Sequence, residues 1–354
     1  MGSLETHEFM SLVAAASLAP SADNRREFRF EQSQDLIRVW GDSNFTTAPR
    51  HRVTLSLIAI GAAAENMRLR AGRLGLGLKV NWFPDSAAPS LVAEIEFQRL
   101  LEASIDPIEV MLAQRRTNRR MVFRGPTFLQ EELRELAEEV DGIDGVELHW
   151  FDSPPARKQI LRLVRIAETD RFRSQDLHDE LFSALNFDVG WRRSTGEGLP
   201  PGSLEIEPMM RPLFKSLRKW DVVRRLNKVG VHHALGLRAA YAPCRLAPHM
   251  GALTTSLDVQ AGALAAGAAF QRIWLRTTLL GAELQPFAAT ALYSLPVFEW
   301  GSPNVRAALA KGWQGLTPGR KPMMVFRIGH APAPSVRATR PPIDDYYYVP
   351  SEST

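Results

Sequence analysis

An internal repeat limits the fold of this chain more than any other feature of its sequence. One copy runs from Gly61-Ala62-Ala63 to Leu74-Gly75, and the other from Gly267-Ala268-Ala269 to Leu280-Gly281. Both copies span fifteen residues, and seven positions are identical at matching offsets. Small residues near the start of a helix allow a second helix to approach closely, and a closing glycine ends a helix. Each copy is therefore predicted to be a long buried helix.

The repeat has two possible explanations. Two buried, alanine-rich helices can resemble each other by chance. Alternatively, the chain contains a duplicated α+β unit whose copies pack about a pseudo-twofold axis, like a symmetric dimer joined covalently. The second explanation predicts that the two repeat helices meet at the interface between the halves.

Periodicity of apolar residues predicts further helices and strands around the two repeat helices. The predicted helices cover residues 6–18, 52–74, 130–140, 155–168, 176–186, 211–228, 256–280 and a short stretch from Ser302-Pro303 to near Gly312. The predicted strands are Ile37–Trp40, Leu78–Phe83, Leu91–Phe97, Val146–Phe151 and Met323–Ile328, and Phe28–Phe30 is strand-like. The polar, arginine-rich stretch 103–125 marks the boundary between halves. We expect a first half at 1–102, a second half at 103–330 with an insert or lid at about 190–255, and an extended proline-rich tail at 331–354.

Composition is that of an ordinary globular protein. The chain has 354 residues, 45% of them hydrophobic and 23% charged, with a formal net charge of +4. Its single cysteine, Cys244, can form neither an internal disulfide nor a thiolate metal site. The start of the sequence lacks the pattern of a signal peptide, and no apolar run is long enough for a membrane span. We therefore expect a cytoplasmic protein.

The segment Arg115-Arg116-Thr117-Asn118-Arg119-Arg120 is the strongest chemical signal. Guanidinium groups match phosphate oxygens in two-point contacts, and a hydroxyl adds a further donor. The alternative is a solvated linker. A second basic stretch, 215–228, falls in a predicted amphipathic helix. Since neither stretch belongs to a nucleic-acid-binding motif, an anionic small ligand explains the first at least as well, and we expect no nucleic-acid partner.

A loop between the first helix and Phe28, Pro20-Ser21-Ala22-Asp23-Asn24, is by itself only a turn. Together, the Arg-Arg-Thr-x-Arg segment, this Pro-Ser-x-x-Asn loop and the late Leu-Gly helix end resemble the nitroreductase-like FMN flavoproteins. The likeness is to the mycobacterial, Acg-like type in which two family-like halves are fused and share one flavin. It covers roughly 8–100 and 107–342, with an unmatched stretch near 190–255.

This resemblance implies a fold and a set of site residues. The fold would be α+β and nitroreductase-like, with two related half-domains fused as an internal pseudo-dimer. Arg115, Arg116, Thr117 and Arg119 would hold the phosphate and ribityl chain of FMN, and Arg340 would close on the phosphate. Pro20, Ser21 and Asn24 would lie against the flavin ring, and Gln285 and Pro286 beside its N5 edge.

Two departures from the family pattern bear on function. The loop continues with Arg25-Arg26-Glu27-Phe28, where family members have a small or polar residue and then Gln-Pro-Trp, so the pocket wall and the substrate differ. The first half has no Arg-Arg-Thr-like segment, so we expect one FMN per chain. No dinucleotide fingerprint is present, so NAD(P)H would bind only transiently. His232, His233 and His249 do not have the spacing of a metal site.

Three functions remain open from the sequence. The first is an FMN-dependent oxidoreductase that uses NAD(P)H to reduce a small organic acceptor such as a nitro compound or a quinone, acting as a monomer or a homodimer. The second is a flavin-sequestering protein in which the insert covers the FMN and no turnover occurs. The third is an interaction module that has lost its flavin. The acceptor itself is not specified by any residue pattern.

Overall fold

The computed structural model describes residues 4–33 and 36–348 and has mixed α and β structure. Its strands are β1 Phe28–Ser33, β2 Leu36–Gly41, β3 Leu76–Trp82, β4 Leu91–Arg99, β5 Val146–Trp150, β6 His249–Thr255, β7 Glu283–Pro286 and β8 Lys321–Gly329. Its helices are α1 Thr6–Ser17, α2 Arg50–Arg73, α3 Gln130–Glu138, α4 Pro154–Arg171, α5 Gln175–Ser183, α6 Arg211–Ser216, α7 Trp220–Asn227, α8 Val231–Gly236, α9 Ala242–Arg245, α10 Val259–Leu279, α11 Ala288–Leu292 and α12 Pro303–Leu316. None of the helices in these ranges is both long and apolar enough to cross a bilayer.

The strands form two antiparallel sheets with the same topology. The first sheet has the order β1-β2-β4-β3 and the second has the order β5-β6-β8-β7. In each sheet the long repeat helix, α2 or α10, connects the second strand in the chain to the third. The two halves therefore share one connectivity, as well as the repeated sequence.

The two repeat helices cross at a reciprocal contact. A Cβ added to Gly61 would lie 2.0 Å from the backbone oxygen of Leu264, and a Cβ added to Gly267 would lie 2.1 Å from that of Ile58. Leu264 and Ile58 stand three residues before the glycine of their own helix, so each half presents the same surface to the other. Only glycine allows the backbones of the two helices to approach each other this closely, which explains why each copy of the repeat begins with glycine.

Both halves contribute to one hydrophobic core. Ile37, Ile60 and Ile95 from the first half and Ile273 and Phe326 from the second belong to the same cluster of buried side chains. The predicted boundary near 103–125 therefore separates two sheets but not two independent cores.

The second half contains a long insertion between β5 and β6. In the first half the corresponding strands, β1 and β2, follow each other almost directly, whereas α4 to α9 lie between β5 and β6. Residues 151–248 thus lie between two strands whose counterparts in the first half are adjacent, and we call this stretch the insertion. The predicted insert, at about 190–255, overlaps this stretch and also includes β6, which pairs with both β5 and β8. Part of the insertion has a small apolar core of its own, which includes Phe172 and Phe182.

Most of the predicted elements are confirmed, including both repeat helices and all five predicted strands, but two helix predictions are wrong. The stretch 211–228 forms two helices, α6 and α7. The first of these helices ends at Ser216, and the backbone carbonyl of the next residue, Leu217, lies 2.7 Å from Nε2 of the buried His178. Helix α12 passes beyond Gly312 to Leu316, because Gly312 packs closely against Leu163 and does not end the helix.

The C-terminal tail returns to the first half. It forms a 3-10 turn at Ile343–Tyr346, and Tyr347 makes a parallel bridge with Phe30 of β1. The Tyr348 ring stacks on Trp40 with 4.7 Å between centroids. The tail thereby covers the edge of the first sheet, and the predicted tail residues 349–354 lie outside the described part of the chain.

Candidate functional site

A cavity of about 620 Å³ lies where the two halves, the insertion and the tail meet. Its volume falls within the range of about 300–1,000 Å³ that is common for ligand pockets. The structure brings all ten sequence-predicted site residues to this one cavity. They are Pro20, Ser21, Asn24, Arg115, Arg116, Thr117, Arg119, Gln285, Pro286 and Arg340.

The loop after α1 reaches the cavity in a strained conformation. Asp23 and Asn24 have φ angles of 59° and 57°, in the left-handed region that Asn and Asp tolerate better than most residues. The side-chain amide of Asn24 donates hydrogen bonds to the carbonyls of Gly196 and Gly198, both at 3.1 Å. Asn24 therefore fastens the insertion over the cavity, in addition to lining it.

The arginine-rich segment is held beside β7 by backbone contacts. Thr117 forms an isolated parallel bridge with Leu284, and the Asn118 backbone N–H donates to the carbonyl of Leu284 at 3.2 Å. The indole N–H of Trp274 on α10 donates to the carbonyl of Arg116 at 3.2 Å. These contacts fix the segment between a strand and a repeat helix, so it is not a solvated linker.

Three guanidinium groups converge at one end of the cavity, and we call Arg115, Arg337 and Arg340 the arginine cluster. Arg115 donates to the carbonyl of Leu18 at 2.9 Å, and its guanidinium lies 4.5 Å from the centre of the Trp274 ring. Arg340 donates to the carbonyls of Ser17 and Ala19 and contacts the Oδ1 of Asn24. Arg337 donates to the carbonyl of Ala113 at 2.6 Å. The carbonyls at the end of α1 attract two of these cations, but they do not neutralise them.

The positive charge of the arginine cluster is uncompensated. Among the described residues, no carboxylate lies within 4.0 Å of its three guanidinium groups. Burial, and then repulsion from Arg340 and Arg337, holds the pKa of Arg115 well below its usual value. The Nε of Arg115 is buried and has no hydrogen-bond partner in the described part of the chain. Such a site is stabilised by an anion that accepts several charged hydrogen bonds.

The other two predicted arginines differ from the cluster. Arg116 forms a two-point pair with Glu283, with N–O distances of 3.0 and 2.6 Å, so its charge is already compensated. Arg119 is partly buried and donates to the carbonyl of Ser203 in the insertion at 3.5 Å. Burial lowers the pKa of Arg119 to about 10, with Asp23 opposing that shift. Arg119 therefore remains available to an anionic group, whereas Arg116 has a structural partner.

The cavity is also lined by charged side chains that are paired with one another. His51 lies 3.1 Å from Glu180, and Arg52 pairs with Asp23 at 2.8 Å. Arg171 contacts both Glu168 and the hydroxyl of Tyr293 at 3.4 Å. Burial raises the pKa of Tyr293 to about 12, so this hydroxyl stays protonated near neutral pH. The cavity thus contains both unpaired cations, which suit an anion, and paired or neutral polar groups.

Apart from these groups, the cavity wall is largely apolar. Its lining includes the aromatic side chains Phe270, Trp274, Phe287 and Phe298. Gln285 stands at the end of β7, and its Oε1 accepts a hydrogen bond of 2.9 Å from the fully buried Arg327. A flat aromatic ligand with a charged tail matches this distribution of apolar wall and arginine cluster.

Sequence reasoning missed Arg337, Arg327 and the His51–Glu180 pair. Arg337 had a usable signal, since it stands three residues before Arg340 in the same tail segment and repeats the Arg-x-x-Arg spacing of Arg116 and Arg119. Arg327 and the His51–Glu180 pair carry no comparable signal, because the fold alone brings them to the cavity.

The described residues contain no group of three or more His, Cys, Asp or Glu side chains that could hold a metal ion. Nδ1 of His249 lies 2.9 Å from Asp152, and its Nε2 accepts from the backbone of Phe128, while His232 and His233 lie side by side. Cys244 is fully buried, and burial raises the pKa of its thiol to about 12. This thiol therefore stays protonated and unreactive.

No family model matches the chain. An uncharacterized protein of Mycobacterium tuberculosis (strain CDC 1551 / Oshkosh) is 25% identical over 342 residues, which cover 93% of this chain and 47% of that protein. The chain therefore spans about half the length of this curated relative.

Three solved structures illustrate what the fold is similar to. A putative nitroreductase from Anabaena variabilis has a TM-score of 0.43 at 12% identity, covering 93% of this chain and 74% of that one. The FMN-dependent nitroreductase NfnB from Mycobacterium smegmatis in complex with NADPH has a TM-score of 0.38 at 17% identity, covering 69% and 97%. A nitroreductase with bound FMN from Bacteroides fragilis has a TM-score of 0.38 at 12% identity, covering 64% and 89%.

Proposed function

We propose that this chain binds one FMN in the cavity and uses NAD(P)H to reduce a small organic acceptor of the nitro or quinone type. The observation that carries the proposal is the uncompensated arginine cluster at one end of a mainly apolar cavity. A terminal phosphate would satisfy the unpartnered Nε of Arg115 and relieve the repulsion among the three guanidinium groups. The resemblance of the Arg-Arg-Thr-x-Arg segment and the Pro-Ser-x-x-Asn loop to nitroreductase-like proteins points to the same ligand.

Each part of the cavity has a proposed task. Arg115, Arg337 and Arg340, with Arg119 and Thr117, would hold the phosphate and ribityl chain. Pro20, Ser21 and Asn24 on one side, and Gln285 and Pro286 on the other, would flank the ring. Bound flavin supplies the ability to accept a hydride from NAD(P)H and to pass it on, and no protein nucleophile is required. The aromatic wall excludes water from the ring.

The proposed domain plan is an internal pseudo-dimer with halves at 1–102 and 103–330. It is supported by the shared strand order of the two sheets and by the reciprocal contacts of Gly61 and Gly267. Both features are expected of a duplicated unit that packs about a twofold axis. The tail from 331 onwards crosses from the second half to the first and carries two members of the arginine cluster on its way.

The proposal of a single flavin per chain is supported by the residues at the matching positions of the first half. In the repeat, the cavity-lining residues Phe270 and Trp274 correspond to Ala64 and Arg68 of the first half. Arg68 is paired with Glu65 at 2.7 Å. Arg272 joins that network through Glu65 at 2.8 Å and Glu139 at 2.5 Å. Ion pairs therefore occupy the place where a second aromatic wall would stand.

The test is the cofactor content of the purified protein. Denaturation should release one flavin per chain, and chromatography should identify it as FMN. A second flavin per chain would contradict the single-site argument, and FAD would contradict a clamp for a terminal phosphate. A colourless protein that binds no FMN when it is titrated with the cofactor would exclude the proposed function.

A second function, flavin sequestration without turnover, is favoured by one observation. The insertion supplies part of the cavity lining, including Ser203, Leu204, Ile206 and Phe214, and is fastened by Asn24. Steady-state oxidation of NADPH with menadione or nitrofurazone as acceptor separates the two functions. Turnover supports the oxidoreductase, whereas flavin that neither NADPH nor NADH reduces supports sequestration.

A further inference from the structure

The outer part of the insertion concentrates the positive charge of the molecule. Residues 208–230 contain seven Lys or Arg residues and a single acidic residue, Asp221, which gives six positive charges in excess. Since the whole chain has a formal net charge of +4, the remaining residues together carry a net charge of −2. The excess is therefore local to this segment and is not a general property of the surface.

Large apolar side chains are exposed beside this charge. Met209 is 85% exposed, Met210 44% and Leu213 46%. They lie within about one helical turn, directly before and in α6, while the neighbouring Phe214 lines the cavity and Leu217 is buried. The segment thus has an anchored inner side and an apolar outer side. We call the exposed side of 208–230 the lid face.

The lysines of the lid face are free to interact with an external anion. Lys215, Lys219 and Lys228 are exposed, and none of them lies within 4.0 Å of a carboxylate in the described part of the chain. Asp221 is already paired with Arg224 at 3.0 Å. No neighbouring group neutralises these ammonium groups, so their field extends into the solvent.

We propose that the lid face docks on the surface of an anionic phospholipid bilayer. Basic side chains are attracted to anionic headgroups, and adjacent Met and Leu side chains can enter the boundary of the acyl region. Two copies of the lid face would bring like charges together, which opposes self-association through this surface. A nucleic acid would use the lysines but would leave Met209, Met210 and Leu213 in water.

Vesicle sedimentation with the full-length protein tests this proposal. Wild type should co-sediment with phosphatidylcholine–phosphatidylglycerol vesicles but not with pure phosphatidylcholine vesicles, and binding should fall as salt is added. Each basic residue at an anionic surface contributes about a fivefold factor in affinity. The variant Lys215→Ala/Lys219→Ala/Lys228→Ala should therefore bind about a hundredfold more weakly. Met209→Ser/Met210→Ser/Leu213→Ser should also bind more weakly, through loss of apolar burial.

The matched control removes three exposed lysines elsewhere, in Lys79→Ala/Lys158→Ala/Lys311→Ala, with the same change in net charge. This control should bind as wild type does. Equal loss in the control, or absence of binding to anionic vesicles, would overturn the proposal. Either of two further results would also overturn it. One is a homodimer in solution that is lost in the Met209→Ser/Met210→Ser/Leu213→Ser variant. The other is RNA binding that is tighter than vesicle binding and is unchanged in this variant. Flavin content is independent of all these outcomes.

Discussion

Among individual residues, Arg337 offers the cleanest test of the arginine cluster. Its side chain is largely exposed and its bond to the carbonyl of Ala113 is a surface contact, so its loss should change stability by only about 0.5 kcal/mol. A charge-assisted hydrogen bond is worth about 1.5–3 kcal/mol, and each 1.4 kcal/mol is about a tenfold factor. Arg337→Ala should therefore weaken FMN binding by about tenfold to a hundredfold, measured by titration of apo-protein with FMN.

The control for this experiment is Arg124→Ala. Arg124 is an exposed arginine in the same region, but it does not line the cavity. It should bind FMN as wild type does. If Arg337→Ala also retains wild-type affinity, Arg337 does not contact the phosphate, and the proposed phosphate site is wrong.

The site residues show how far single positions can be predicted from a sequence. Arg115 and Arg340 could be proposed because their motif recurs in a known family, and both lie in the cavity. The compensation of Arg116 by Glu283 could not be predicted, since the two residues are far apart in the sequence and meet only when β7 packs beside the arginine segment. The arginines in a sequence indicate where an anion can bind, but the sequence does not show which of these arginines are already paired with carboxylates.

Between elements, the crossing of α2 and α10 makes a quantitative prediction. Gly61→Ala places a methyl group 2.0 Å from a backbone oxygen that cannot rotate away, and Gly267→Ala does the same at 2.1 Å. Overpacking of this kind costs about 1–3 kcal/mol, against a gain of about 1 kcal/mol in helix propensity. Each substitution should lower the midpoint of thermal unfolding, and both should do so by similar amounts because the contacts are reciprocal.

A glycine in another helix provides the comparison. Gly315 in α12 faces the flexible end of Gln159, so Gly315→Ala should leave the midpoint unchanged or raise it. Calorimetric scans of the three variants and the wild type measure these midpoints. Unchanged midpoints for Gly61→Ala and Gly267→Ala would mean that the helices can separate freely, which contradicts a fixed crossing.

Elements with strong periodicity were predictable, and elements defined by tertiary contacts were not. The repeat helices follow from their small residues and closing glycines. Strand β6 was missed because all seven of its residues are buried, so it shows no alternation of apolar and polar positions. Strand β7 has only four residues and ends in Pro286, which gives too short a pattern to detect. Strand β6 is recognised only through its pairing with β5 and β8, and β7 only through its pairing with β8.

For the molecule as a whole, the cavity is closed by parts of the chain that are distant in sequence. The first-half loop at Asn24, the insertion around 195–198 and the tail at Arg340 meet at one place. The backbone of Thr339 also donates to the carbonyl of Thr195 at 2.9 Å. Because the loop, the insertion and the tail belong to one chain, the contacts that close the cavity are intramolecular.

Asn24 is the residue on which this closure can be tested. Its amide donates to carbonyls of the insertion, and its Oδ1 contacts Arg340, so Asn24→Ala removes several bonds between the loop, the insertion and the tail. With about 1 kcal/mol for each neutral hydrogen bond, flavin should dissociate about tenfold to a hundredfold faster. The rise of flavin fluorescence after dilution of the holo-protein measures this rate.

The control is Asn44→Ala, which changes an exposed residue outside the cavity and should release flavin at the wild-type rate. Equal rates for Asn24→Ala and Asn44→Ala would show that the insertion does not retain the cofactor, and sequestration by a lid would then be excluded.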